Sequence, residues 1–179
     1  MTDISASYAQ ALYTLAKDEG VTDILLQQLQ VLQTVFIQEP NFMHLLANPG
    51  ISKQERCALI QDSLGQQMHP YLLNFLKILT EKGYMRHFSD CCASYKNLYN
   101  QDNGILPVTA VTAVPLSEEQ SEKLTGKLTQ ITGKKIELAN RVDPSVLGGM
   151  RLDYDGKRLD DTVAHRLEAV RSLLKNTVL

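Results

Sequence analysis

Residues 146–174 read VLGGMRLDYDGKRLDDTVAHRLEAVRSLL, and this stretch decides the fold. Met150, Leu152 and Tyr154 alternate with Arg151, Asp153 and Asp155. That period of two predicts a strand with one buried face. Asp155-Gly156 predicts a tight hairpin turn, because glycine adopts positive φ without a Cβ clash. Lys157, Arg158 and Leu159 form the short returning strand. Asp160, Asp161 and Thr162 then offer side-chain oxygens to the free N–H groups of a helix start. Val163, Leu167, Val170 and Leu174 follow at spacings of four, three and four, the apolar face of an amphipathic helix. The stretch therefore reads as a β-hairpin feeding a helix.

Working outward, LPVTAVTAV at 106–114 is rich in β-branched residues and predicts a strand that Pro115 breaks. Ser117 and Gln120 cap a helix through Leu124, Leu128 and Ile131, and Gly133 ends it. Ile136, Leu138 and Val142 mark a further strand, and Asp143-Pro144-Ser145 a turn. Before residue 104 the period is helical throughout. Helices are expected over 2–19, capped by Asp3 or Ser5, over 22–38 and over 40–46. A fourth starts at the Ser52/Glu55 capping box and ends near Gly65, a fifth runs from Pro70 to Gly83, and a sixth covers 85–101. The fold class is α+β: an N-terminal six-helix bundle over 1–104, then a small C-terminal α+β domain over 105–179.

Two of these helices carry more apolar surface than one packing contact uses. In the first, Ile4, Tyr8, Ala9, Ala11, Leu12, Tyr13, Leu15 and Ala16 sweep roughly 200° of the helical wheel, where a core-facing stripe needs about 100°. In the fifth, Tyr71, Leu72, Leu73, Phe75, Leu76, Ile78 and Leu79 sweep roughly 220°. Either both helices are surrounded by neighbours, or a groove between them accepts an amphipathic helix from another chain.

Composition narrows the function classes. The 179 residues carry a formal charge of −2, which gives no nucleic-acid footprint. Residues 1–104 hold 7 basic and 10 acidic groups and residues 105–179 hold 11 and 10, the mixed signs of a solvated surface. No run of about 18 apolar residues exists to span a bilayer. The N-terminal MTDISASYAQALY has neither the basic n-region nor the apolar h-region of a signal peptide. Three cysteines, two of them adjacent, make a poor disulfide framework and fit a reducing, cytoplasmic setting.

The residue types that carry chemistry do not assemble into a known constellation. Gly126-Lys127 and Gly133-Lys134 invite phosphate, but a P-loop needs G-x-x-x-x-G-K-[ST], and position 121 is Ser while 128 is Leu. Asp153, Asp155, Asp160 and Asp161 lack the spacing and terminal Glu of a calcium loop, and read as exposed strand face plus helix cap. His87 and Cys91 lie one turn apart, yet structural zinc needs four ligands, so Cys91 and Cys92 read as buried thiols. Cys57 has no histidine in local context. His165, one turn after Asp161, reads as a helix-terminal contact. No catalytic, metal or cofactor residues are expected. A small hydrolase using His165 and an aspartate remains the enzymatic alternative, and a helical adaptor of an unrelated complex the other.

The quoted stretch resembles the C-terminal signature of the δ subunit of F-type ATP synthases, the family of the oligomycin-sensitivity-conferring protein. The matching residues are Gly148-Gly149, Gly156, Asp160-Asp161-Thr162 and Arg166-Leu167-Glu168-Ala169-Val170. Thr162 stands where Ser is usual, Asp161 where Gly is common and Val170 where Leu is common. At the other end, Tyr8-Ala9-Gln10-Ala11-Leu12 resembles the family's first helix, and Ile78, Leu79 and Gly83 before Tyr84-Met85 resemble the end of its fifth. The resemblance implies a non-catalytic stator piece of a bacterial enzyme, peripheral at the cytoplasmic face of the inner membrane and monomeric in isolation. It implies that helices one and five bind the N-terminal helix of an α subunit, through Tyr8, Ala11, Leu15, Tyr71, Phe75, Ile78 and Leu79. It implies that the C-terminal domain meets the C-terminal ends of the b subunits, with Met150, Val163, Leu167 and Val170 the positions to watch.

Overall fold

Residues 3–163, together with 165 and 167, are described by a computed structural model of the chain. Six helices precede a four-stranded sheet: α1 (Asp3–Asp18), α2 (Thr22–Gln38), α3 (Pro40–Ala47), α4 (Lys53–Leu64), α5 (Pro70–Lys82) and α6 (Phe88–Asp102). A 3-10 turn, Met85–His87, leads into α6. Then come β1 (Ile105–Thr112), α7 (Glu118–Thr132), β2 (Lys135–Val142), β3 (Met150–Tyr154) and β4 (Lys157–Asp160). The class is α+β. The chain divides into two compact units, residues 1–99 and 100–179.

Local chemistry sets the helix ends. Ser52 and Glu55 form a reciprocal capping box on α4, and Ser117 and Gln120 form one on α7. Gly83 and Gly133 close α5 and α7 in the left-handed conformation, which spares the Cβ clash any other residue would meet there. Ser5 is not a cap: it lies fully buried within α1, beside the Cys91 thiol.

The N-terminal unit closes around Leu25, Leu29 and Leu32 of α2, Leu72, Leu76 and Leu79 of α5, and Phe88 and Tyr95 of α6, all essentially inaccessible to water. Aromatic edges lock it further, with Tyr13 against Tyr95 at 5.2 Å and Phe36 against Phe88 at 5.0 Å between centroids. Tyr95 Oη also donates to the Thr22 carbonyl at 3.1 Å, which ties α6 to the start of α2. The arginine of α4 is less expected. Arg56 is only 6% exposed, and its Nη1 donates to the Leu46 carbonyl at the end of α3 at 2.9 Å.

In the second unit the strand order is β2-β1-β3-β4. β1 runs parallel to β2, from Ile105 opposite Lys135 to Thr112 opposite Val142, with α7 as the crossover. It runs antiparallel to β3, and β3 and β4 form the hairpin expected at Asp155-Gly156, both at positive φ. Leu106, Val108, Ala110, Ile136 and Leu152 make the core, with Leu124 and Leu128 of α7, Met150 and Tyr154 packed on it. Two expected core positions differ. Ile131, in the last turn of α7, is 81% exposed, and Val142 is also exposed on the outer strand. The inner face of β2 instead carries Asn140. Its amide donates to the Ala110 carbonyl and the Thr112 hydroxyl and accepts from Leu116 N–H, each at 2.9 Å, pinning the loop after β1.

The opposite face of the sheet carries charge. Asp153 accepts from Arg158 at 2.8 Å across the hairpin and from Arg151 at 3.3 Å, and these partners, Arg158 foremost, hold its carboxyl below the usual carboxylate range. Past β4, Asp160 accepts from the Thr162 N–H and hydroxyl, which likewise lowers its pKa. The Thr162 hydroxyl in turn accepts the N–H of His165 at 3.1 Å. Thr162 is therefore the helix cap, and His165 takes part through its backbone. Val163 and Leu167 are helical and partly or largely exposed, while Val170 and Leu174 lie outside the described residues.

Candidate functional site

Each expected groove residue has a definite place. On α1, Tyr8 is half-buried, Ala11 is exposed and Leu15 is 41% exposed. Ile4, 38% exposed, completes an outward apolar stripe at residues 4, 8, 11 and 15. The steps of four, three and four keep one helical face toward one partner, as in coiled-coil packing. On α5, Tyr71 and Ile78 are half-buried. Phe75 and Leu79 are core residues, Leu79 with no exposure at all, so they brace α5 from within and offer no free surface. The broad apolar arc of α5 is explained mainly by its position. It packs against α1, α2 and α4, and those neighbours take up Leu72, Leu73, Phe75, Leu76 and Leu79.

α1 and α5 touch, and Tyr8 meets Tyr84, just past the end of α5, edge-on at 5.9 Å. An apolar strip from α1 thus meets the C-terminal end of α5 through two phenol rings. The seven expected residues fall into an outward set (Tyr8, Ala11, Leu15, Tyr71, Ile78) and an inner pair (Phe75, Leu79). The sequence reading missed His69, the residue that caps α5 beside Tyr71. Its signal was the His-Pro pair at 69–70, which puts the histidine at the cap of a helix begun by proline.

The nucleophile candidates are placed against catalysis. Cys57 Sγ lies 3.9 Å from Glu81 Oε1, and burial together with that carboxylate raises its pKa. A depression of about 540 Å³ beside it is lined by Lys53, Gln54, Cys57, Glu81 and Lys82, with no imidazole among them. Burial pushes the Cys91 thiol up to about 11 and the Cys92 thiol up to about 12, so neither supplies a thiolate near neutral pH. His87 Nδ1 sits 3.7 Å from Asp90 Oδ2, one turn away. Among the described residues no group of three or more His, Cys, Asp or Glu is placed to hold a metal ion. Nor is any helix among them long and apolar enough to cross a membrane.

An apolar flank of α1 turned outward, thiols held protonated and a small α+β unit following the helical one in the chain fit a class: proteins that work by gripping other chains. A family model described as ATP synthase delta (OSCP) subunit matches residues 4–174. The chain is 30% identical over 176 residues to the ATP synthase subunit delta of Clostridioides difficile (strain 630), covering 98% of this chain and 97% of that one. It is 31% identical over 172 residues to the ATP synthase subunit delta of Lacticaseibacillus casei (strain BL23), covering 96% and 94%. In fold it is similar to a chain of the Toxoplasma gondii mitochondrial ATP synthase hexamer, with a TM-score of 0.78 at 19% identity over 97% of this chain and 98% of that one. The chain belongs to the ATP synthase delta (OSCP) subunit family. It is a non-catalytic, peripheral subunit of the stator in ATP synthesis.

Proposed function

We propose that the chain joins the catalytic head of a proton-driven ATP synthase to its peripheral stalk, at the cytoplasmic face of a bacterial inner membrane. Residues 1–104 act as a six-helix bundle that grips the N-terminal helix of an α subunit along α1 and α5. Residues 105–179 hold the C-terminal ends of the b subunits, with Met150, Val163, Leu167 and Val170 the positions to probe. The chain meets the membrane only through these partners. The work is mechanical, since the joint must hold the head still against the turning rotor. Two binding units on one chain suit that load, because a tether raises the effective concentration at the second site once the first is engaged.

The outward stripe Ile4, Tyr8, Ala11 and Leu15 carries this reading. A monomer has no packing reason to turn one continuous helical face of that kind to water, and a partner helix covers such a face through matching anchors. Ala11 at its centre lets two backbones approach closely. Each buried anchor contributes about 1.5–3 kcal/mol by area. Titration of the full chain with a peptide of the α-subunit N-terminus tests it. Ile78→Lys weakens binding at least about tenfold, equivalent to about 1.4 kcal/mol. Ala11→Glu, at an exposed position with little effect on folding, does the same. Unchanged affinity in both variants, with helical content intact, rejects the assignment.

A further inference from the structure

The start of α5 is built on one histidine. α5 begins at Pro70, which has no N–H, so Tyr71 carries the first backbone donor of the helix. The His69 carbonyl accepts the N–H groups of Leu72 and Leu73 at 3.0 and 3.1 Å. The donor left over, Tyr71 N–H, goes to Nδ1 of the His69 ring at 3.3 Å. His69 thus accounts for every donor of that first turn. Its own N–H donates to Gln28 Oε1 of α2 at 2.8 Å, and its ring lies against the Tyr71 ring at 4.9 Å between centroids.

Helix caps are usually Ser, Thr, Asp or Asn, whose oxygens accept at any ordinary pH. Imidazole accepts at Nδ1 only when that nitrogen is unprotonated, with the proton on Nε2. A second proton converts the acceptor into a donor facing another donor. It also places a positive charge at the positive end of the α5 dipole. The Tyr71 phenol of α5 lies against the ring, the Gln28 amide of α2 meets only the His69 backbone, and among the described residues no carboxylate pairs with the imidazole.

We propose that His69 is a positioning residue of the α1/α5 face: its neutral ring caps α5 and holds Tyr71 in place for the partner helix, and protonation releases both. The inference rests on the proposed use of that face, and it adds a proton-sensitive control to it. Grip therefore falls when the ring takes up a second proton, because Nδ1 then no longer accepts.

Two measurements on the full chain keep the cap and the groove apart. In NMR spectra without peptide, the His69 ring shows the Nε2–H tautomer. The Tyr71 amide shift follows the His69 ring titration, and its exchange protection drops about fivefold, the loss of one typical cap. A Tyr71 amide indifferent to that titration overturns the proposal. In titrations with the α-subunit N-terminal peptide, affinity falls about fivefold from about pH 7.5 to 5.5 in the native chain. It is flat in His69→Asn, since asparagine caps without titrating. His87, whose ring lies 6.3 Å from that of Tyr84, is the neighbouring imidazole, and His87→Asn keeps the pH dependence. A flat native profile, or a dependence that survives His69→Asn, overturns the proposal. A native chain that binds no peptide even at about pH 7.5 sinks the groove reading and this control of it, while the NMR result still decides the cap.

Discussion

Gly149→Ala lowers the local stability of the β3–β4 hairpin and the cap that follows it by about 3 kcal/mol, the sum of two separate costs. The first is conformational. Gly149 sits at φ +77, where an L side chain costs about 1–2 kcal/mol. The second is steric. A Cβ there would lie 2.5 Å from the Asp161 carbonyl oxygen and 3.2 Å from the Thr162 Cα. Both neighbours are backbone, and both are held. Asp161 N–H donates to the Met150 carbonyl at 3.2 Å, and Val163 N–H donates to the Gly148 carbonyl at 3.0 Å. Moving either strand of chain to admit a methyl group breaks one of these bonds, and overpacking of that kind costs about 1–3 kcal/mol. Gly156→Ala is the internal control, because Gly156 has φ +70 and nothing within 4 Å of an added Cβ. It loses only the conformational part, about 1 kcal/mol. Native-state hydrogen exchange at Met150 and Leu152 reads both. Equal losses in the two variants mean that the backbone yields, and that the close approach at Gly149 carries no energy.

That contact shows where sequence reading succeeds and where it stops. The Gly148-Gly149 pair was legible as a motif, but its reason was not. The requirement at Gly149 comes from residues twelve and thirteen positions later in the chain, Asp161 and Thr162, which no local pattern couples to it. Helix ends were legible for the opposite reason. Ser52 with Glu55, and Ser117 with Gln120, satisfy their donors within four residues, so spacing alone identifies them. The strand period was legible on β3, where Leu152 is buried and Met150 and Tyr154 pack on the core. It misled on β2, where the position continuing the face of Ile136 and Leu138 holds Asn140, a residue whose partners lie about 30 positions away on β1.

For the α1/α5 face, periodicity gave the arcs but could not say which part of an arc a neighbour covers. On α5 the answer is most of it, since Leu79 is sealed in the core. On α1 the stripe at 4, 8, 11 and 15 stays outward. The distinction depends on helix packing angles, which are properties of the assembled unit. His69 and Arg56 escaped for another reason: a hydropathy pattern treats both as surface residues, and one caps a helix while the other is buried.

Arg56→Ala is the second large effect, a loss of about 3 kcal/mol from the N-terminal unit. Arg56 is 6% exposed, and its guanidinium has carbonyl partners where a carboxylate would be expected. Nη1 donates to the Leu46 carbonyl at the end of α3 and approaches the Thr80 carbonyl near the end of α5 at 3.5 Å. The ends of two helices, each with partial negative charge, therefore share one cation. Alanine removes the stem's packing and leaves the Leu46 carbonyl without this donor, and an unsatisfied buried polar group costs about 1–3 kcal/mol. The chain also shows why a gentler substitution behaves differently. Arg56 Nε and the Thr80 hydroxyl are buried without a hydrogen-bond partner, so the native arrangement already carries an incompletely satisfied charge. Arg56→Met keeps most of the stem volume and removes that charge, and replacing a buried ionic group by an apolar one of similar size is often near neutral. Its loss is therefore the smaller, about 1 kcal/mol, the net worth of an ordinary hydrogen bond. Urea titrations of the two variants separate the contributions. Methionine as damaging as alanine assigns the stability to the cation between the helix ends, and alanine near neutral removes the bridge from any part in holding α3, α4 and α5 together.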